Sequence, residues 1–107
     1  MKCGTPGYIA PEILRSQGYT EKSDIFSVGV IMYNLLTGRL LFSGKDANDI
    51  LSKNHRMDMA DVKTKINKLS QNSQSLLLSL LEIDPAKRFS AKQALAHSFF
   101  SQDQTAI

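Results

Sequence analysis

Residues able to do chemistry are few in this 107-residue chain. Cysteine occurs once, as Cys3. No histidine stands within sequence reach to take its proton, so it reads as a small loop residue and not a nucleophile. His55 and His97 are too isolated to build a metal site, and they read as surface or packing residues. Lys63, Lys65 and Lys68 read as one solvated face. Asp24 stands where a helix should begin, the usual place for a capping or dipole-facing carboxylate. Glu12 and Arg88, taken singly, read as unrelated surface charges. The unusual stretch is the opening one, "MKCGTPGYIAPEIL", where Gly4, Pro6, Gly7 and Pro11 crowd together. That pattern describes a fixed, turning loop and not a frayed tail.

Composition sets bounds on what such a loop can belong to. Hydrophobic residues make up 42% and charged residues 21%, as in an ordinary globular domain and unlike a disordered chain. The length allows one domain at most. A net charge of +3, with lysine and arginine scattered, gives no argument for nucleic acid. One cysteine cannot form an internal disulfide, which fits a reducing, intracellular setting, cytoplasmic by expectation. The first twelve residues lack the charged-then-apolar pattern of a secretory leader. The apolar run from Ile25 to Leu36 is about a dozen residues, against the roughly 20 that a membrane span needs. No membrane partner is expected.

The elements that must hold the loop are helices. Pro11 suits a first helical turn, and a short helix is expected over about Pro11 to Arg15, ending near Gly18. Thr20 or Ser23 caps a long helix that Gly38 stops. Ile25, Phe26, Val28, Val30, Ile31, Met32, Leu35 and Leu36 fall on every face of it, which places it in the middle of a core. A mostly polar helix is expected over about Asp46 to His55, and residues 57–70 favour no element. Leu76, Leu77, Leu80, Leu81 and Ile83 mark a further helix, capped by Ser70 or Ser73 and ended by Pro85. Ser90 and Gln93 form a Ser-x-x-Gln capping box for a last short helix over "SAKQALAHSFF". No alternating strand pattern occurs, so the expected class is all-α with long irregular connections.

Taken in order, "GTPGYIAPE", "SDIFSVG" from Ser23 and "DPAKRF" near the end closely resemble the C-terminal lobe of eukaryotic protein kinases. The resemblance covers essentially the whole chain. It implies the C-terminal half of that lobe around a central hydrophobic helix, with residues 1–107 as a partial protein kinase domain. In that family an A-P-E triplet closes the activation segment, and here it is Ala10, Pro11 and Glu12. The resemblance pairs that glutamate with Arg88, and gives Asp24 hydrogen bonds from the catalytic-loop backbone. It makes Gly4, Thr5, Pro6, Gly7 and Tyr8 a pocket for the substrate residue just after the phosphoacceptor. The glycines would let backbone approach a peptide closely, and the prolines would limit the entropy lost on binding. Thr5 matches a threonine of serine/threonine kinases, and "CGTPGY" is similar to the calcium/calmodulin-dependent group. In relatives of that group a phosphorylated threonine often lies two residues before the cysteine, where Met1 stands.

The implied activity is phosphoryl transfer from ATP to serine or threonine of proteins, with Mg as the metal of the full-length parent. No Gly-rich phosphate loop, strand lysine, H-R-D or D-F-G occurs in the 107 residues. The expectation is therefore a kinase fragment that does not transfer phosphate alone and has no catalytic, cofactor or metal residues of its own. Asp24 would then lack its partner, and an apolar patch would be open on the central helix. Its expected partners are protein or peptide substrates and the N-terminal part of a kinase. The alternative is a non-catalytic module that binds peptides or another kinase. Three positions depart from the family: Phe26 for a usual tryptophan, Leu41 before Phe42 for a usual proline, and Asn34 for the glutamate of some arginine-directed kinases.

Overall fold

The computed structural model describes residues 5–57, 59 and 62–100. Six helices follow one another, and no strand occurs among the described residues: α1 (Pro11–Leu14), α2 (Glu21–Thr37), α3 (Ala47–Arg56), α4 (Val62–Lys65), α5 (Gln71–Leu80) and α6 (Ala91–Leu95). Short-range chemistry explains most of the boundaries. Thr20 caps α2, and Ser23 answers it, its hydroxyl accepting from the Thr20 N–H, so both expected residues serve one capping box. At the other end Gly38 adopts the left-handed conformation, φ 71°, which a residue without a Cβ reaches without strain. Asp46 caps α3, Ser70 caps α5, and Ser90 with Gln93 closes the box at α6.

Two boundaries differ from the sequence reading. α5 stops at Leu80, well short of Pro85. The carbonyls of Glu82 and Ile83 that follow it turn instead toward the Arg88 guanidinium, which supplies the donors a continuing helix would have supplied. α6 is only five residues long, and its chain turns at Ala96 and His97.

α2 is the axis of the packing. Phe26, Val30 and Tyr33 lie one helical turn apart on its buried stripe. Phe26 and Val30 pack with Ala10, Phe42 and Leu81, while Tyr33 packs with Ile66 and Leu77. Burial pushes the Tyr33 hydroxyl above its ordinary pKa. α5 crosses α2 at Gly29, where a Cβ would stand 2.9 Å from Leu80 Cβ. The opposite stripe of α2 is open: Val28 is 51%, Ile31 47% and Leu35 79% exposed. The long helix is therefore covered on one side only, and the apolar patch expected on it lies open.

Candidate functional site: a pinned loop over a buried ion pair

Thr5 to Ala10 lead into α1 and form the ledge that the sequence singled out. Gly4 lies outside the described residues, as do Met1 and Cys3. The Tyr8 N–H donates to the Thr5 carbonyl at 3.0 Å and closes a turn. Gly7 sits within it at φ 96°, a conformation a side chain rarely adopts. A Cβ there would also stand 3.0 Å from Ile50 Cγ2, close enough that this side chain would have to shift. Thr5 is exposed, Pro6 and Tyr8 are half-buried, and Gly7 is buried. The turn thus shows one edge to solvent and rests its other side on the helices.

In α1, just after the ledge, Glu12 meets Arg88. Nη1 reaches Oε2 at 2.7 Å and Nη2 reaches Oε1 at 2.9 Å, a two-pronged pair with 0% and 3% of the side chains exposed. Arg88 spends its remaining donors on carbonyls: Nε on Glu82, Nη1 on Lys22 and Nη2 on Ile83. All five guanidinium N–H groups are therefore used, the condition under which a buried charge is tolerable. The guanidinium also lies 5.2 Å from the centre of the Phe26 ring, so phenylalanine in place of the family's tryptophan still offers a π face. Glu12 accepts a further bond from the Ser23 hydroxyl at 2.9 Å. Burial works against its charge, but the bonds from Arg88, its own backbone and Ser23, with the arginine's charge, outweigh that. Its carboxyl ionises below the ordinary value.

Lys22, Ser27 and Asn54, which the sequence reading passed over, hold the same region together with Asn34. Lys22 Nζ donates to the carbonyls of Pro85 and Arg88, bolting the start of α2 to the segment that carries Arg88. Ser27 donates to the Tyr8 carbonyl at 2.6 Å. Asn34 donates to the Tyr8 hydroxyl and accepts from the Leu41 N–H. Asn54 of α3 is fully buried and binds the backbone of Gly7 and Ile9. Each joins residues of different elements, so no local spacing announces it.

Asp24 corrects one expectation. It is exposed, but it is not without a partner, because the Tyr19 hydroxyl donates to its Oδ2. That bond, to a carboxylate five residues on, holds the tyrosine above its ordinary pKa. Among the described residues no group of three His, Cys, Asp or Glu could hold a metal ion. No described helix is long and apolar enough to cross a membrane.

A helical unit with no strand among its described residues, whose first helix is tied down by a buried Glu–Arg pair, is the lower part of a kinase C-lobe. The chain belongs to the protein kinase domain family, whose model matches residues 1–100. It is 43% identical over 101 residues to a protein of Plasmodium falciparum (isolate K1 / Thailand) named probable serine/threonine-protein kinase 2, covering 94% of this chain and 20% of that protein. To human calcium/calmodulin-dependent protein kinase type 1B it is 37% identical over 101 residues, covering 94% of this chain and 29% of the other. Among solved structures it matches the twitchin kinase region from C. elegans with a TM-score of 0.77 at 28% identity, over 90% of this chain and 18% of that one. The chain thus spans between a fifth and a third of the length of these curated relatives.

Proposed function

We propose that these residues form the substrate-receiving side of a serine/threonine protein kinase, with Thr5 to Tyr8 facing the peptide chain and Glu12 and Arg88 holding them in place. One observation carries the reading. The Glu12–Arg88 pair, buried and fully bonded, anchors α1, the helix into which the partly exposed turn of Thr5 to Tyr8 runs. A buried ion pair is a poor device for stability alone, since apolar residues of the same volume often do as well. It is a good device for holding one loop in one geometry. ATP and Mg2+ belong to this reading as reactants of the kinase domain that carries these residues; no described residue is assigned to them. An intracellular, cytoplasmic setting goes with it.

The test is phosphoryl transfer from ATP to serine, threonine and tyrosine peptides by the kinase domain that carries these residues. Transfer to serine and threonine but not tyrosine is expected. The open stripe Val28, Ile31 and Leu35 favours a second reading, a non-catalytic module that docks on another kinase. Absence of transfer, together with capture of a kinase through that stripe, would support it instead.

A further inference from the structure

Asn54 is the only buried residue of α3, and it is polar. Its surroundings show why. Oδ1 accepts from the Gly7 N–H at 2.9 Å and from the Ile9 N–H at 3.1 Å, and Nδ2 donates to the Ile9 carbonyl at 2.9 Å. The orientation of the amide is unambiguous, because the flipped group would set donor against donor and acceptor against acceptor. An amide buried this deeply is retained only when satisfied, and all three of these bonds go to the ledge, 45 and 47 residues away. If α3 served packing alone, an aliphatic residue would fill the position without that requirement.

We propose that Asn54 is a positioning residue for peptide substrate: it fixes the Gly7 turn, and so the height and tilt at which Thr5 to Tyr8 meet the peptide. The proposal rests on the kinase reading above. Asn54 touches neither peptide nor reacting atoms and acts through the backbone of Gly7 and Ile9. Ser27 on the Tyr8 carbonyl completes the pinning from α2. With the N–H groups of Gly7, Tyr8 and Ile9 all engaged, these donors are not available to pair with a peptide backbone, and the carbonyls of Tyr8 and Ile9 each already accept one bond. The ledge instead offers shape and side-chain contact.

The experiment is steady-state kinetics of the kinase domain that carries these residues, wild type against Asn54→Ala and Asn54→Asp. Asn54→Asp keeps the acceptor for the two N–H groups and sets a carboxylate oxygen against the Ile9 carbonyl. Both variants should raise KM for the peptide roughly ten- to hundredfold, since small misplacements distant from the chemistry have effects of that size. KM for ATP should change by less than about twofold over the same variants, because misplacing the ledge leaves the nucleotide's contacts alone. Amide exchange at Gly7 and Ile9 should accelerate. Faster exchange with an unchanged peptide KM would overturn the proposal and leave Asn54 a purely structural residue, and so would equal rises in both KM values. A wild-type domain that phosphorylates no peptide at all would instead sink the kinase reading and the proposal with it. Should neither variant fold, exchange in the wild type still decides: protected Gly7 and Ile9 amides, slowed further by peptide, support the role, and fast exchange at either overturns it.

Discussion

Arg88 and Glu12 lie 76 positions apart in the chain, yet they share two parallel hydrogen bonds of 2.7 and 2.9 Å with almost no exposure to solvent. The pair ties α1, at the end of the ledge, to the segment following α5. Every other donor of the guanidinium goes to a backbone carbonyl, one in α2 and two after α5. Three parts of the fold therefore converge on one side chain.

Removing Arg88 strands a buried carboxylate and three carbonyls together. Arg88→Ala should cost about 3–5 kcal/mol of unfolding free energy, the range for breaking one half of a buried pair. The midpoint of urea denaturation reads this directly. In the kinase domain that carries these residues, stability and activity should fall together; an unchanged midpoint and rate would remove the argument for the tether.

Acid should act through the partner. Glu12 ionises below the ordinary glutamate value of 4.5, so the pair contributes fully above that value and is lost as pH falls through the lower, folded one. Wild type should exceed Glu12→Gln in stability by a constant margin at neutral pH, and the margin should narrow below about pH 4.5. Denaturation midpoints for the two proteins across that range check it, and a margin that stays constant into acid would contradict the assignment.

Gly29 offers a case in which local and tertiary preference disagree. Alanine there gains about 1 kcal/mol of helix propensity. Its Cβ would lie 2.9 Å from Leu80 Cβ and 3.1 Å from Leu81 Cδ2, and the first of these atoms cannot swing aside. Overpacking of this kind costs about 1–3 kcal/mol. Gly29→Ala should therefore lower the melting temperature, whereas a rise would show that α2 and α5 are free to separate.

The open stripe of α2 should behave as sticky surface. Val28, Ile31 and Leu35 are each about half exposed or more. The 107-residue chain should bind a hydrophobic dye, and Ile31→Lys with Leu35→Lys should remove most of that fluorescence. Because both sites face solvent, stability should change by no more than about 0.5 kcal/mol per substitution. Dye binding that persists in the double variant would place the sticky surface elsewhere.

The caps were legible in the sequence because a cap is a local event. Thr20, Ser70, Ser90 and Gly38 act within three or four residues of themselves, and their side-chain chemistry declares it. Arg88 was legible by resemblance only; nothing in "DPAKRF" states that its arginine is buried. Asn54, Ser27 and Lys22 were not legible. Each binds the backbone of a segment at least 19 residues away, and backbone groups carry no residue identity to read. The open side of α2 was foreseen by asking what would cover an apolar helix, but which side it was followed only from where α5 packs. The Asp24 partner was missed because Tyr19 reads as a loop aromatic until the chain folds back one turn.

Where a peptide lies on the chain is the most direct test. A serine peptide carrying a photoreactive benzophenone in the residue directly after the phosphoacceptor, irradiated on the kinase domain that carries these residues, reports it by mass spectrometry. Adducts on Thr5 to Tyr8, lost on competition with unlabelled peptide, are the expected result. Adducts that fall on Val28, Ile31 or Leu35 instead, and not on the ledge, would contradict it.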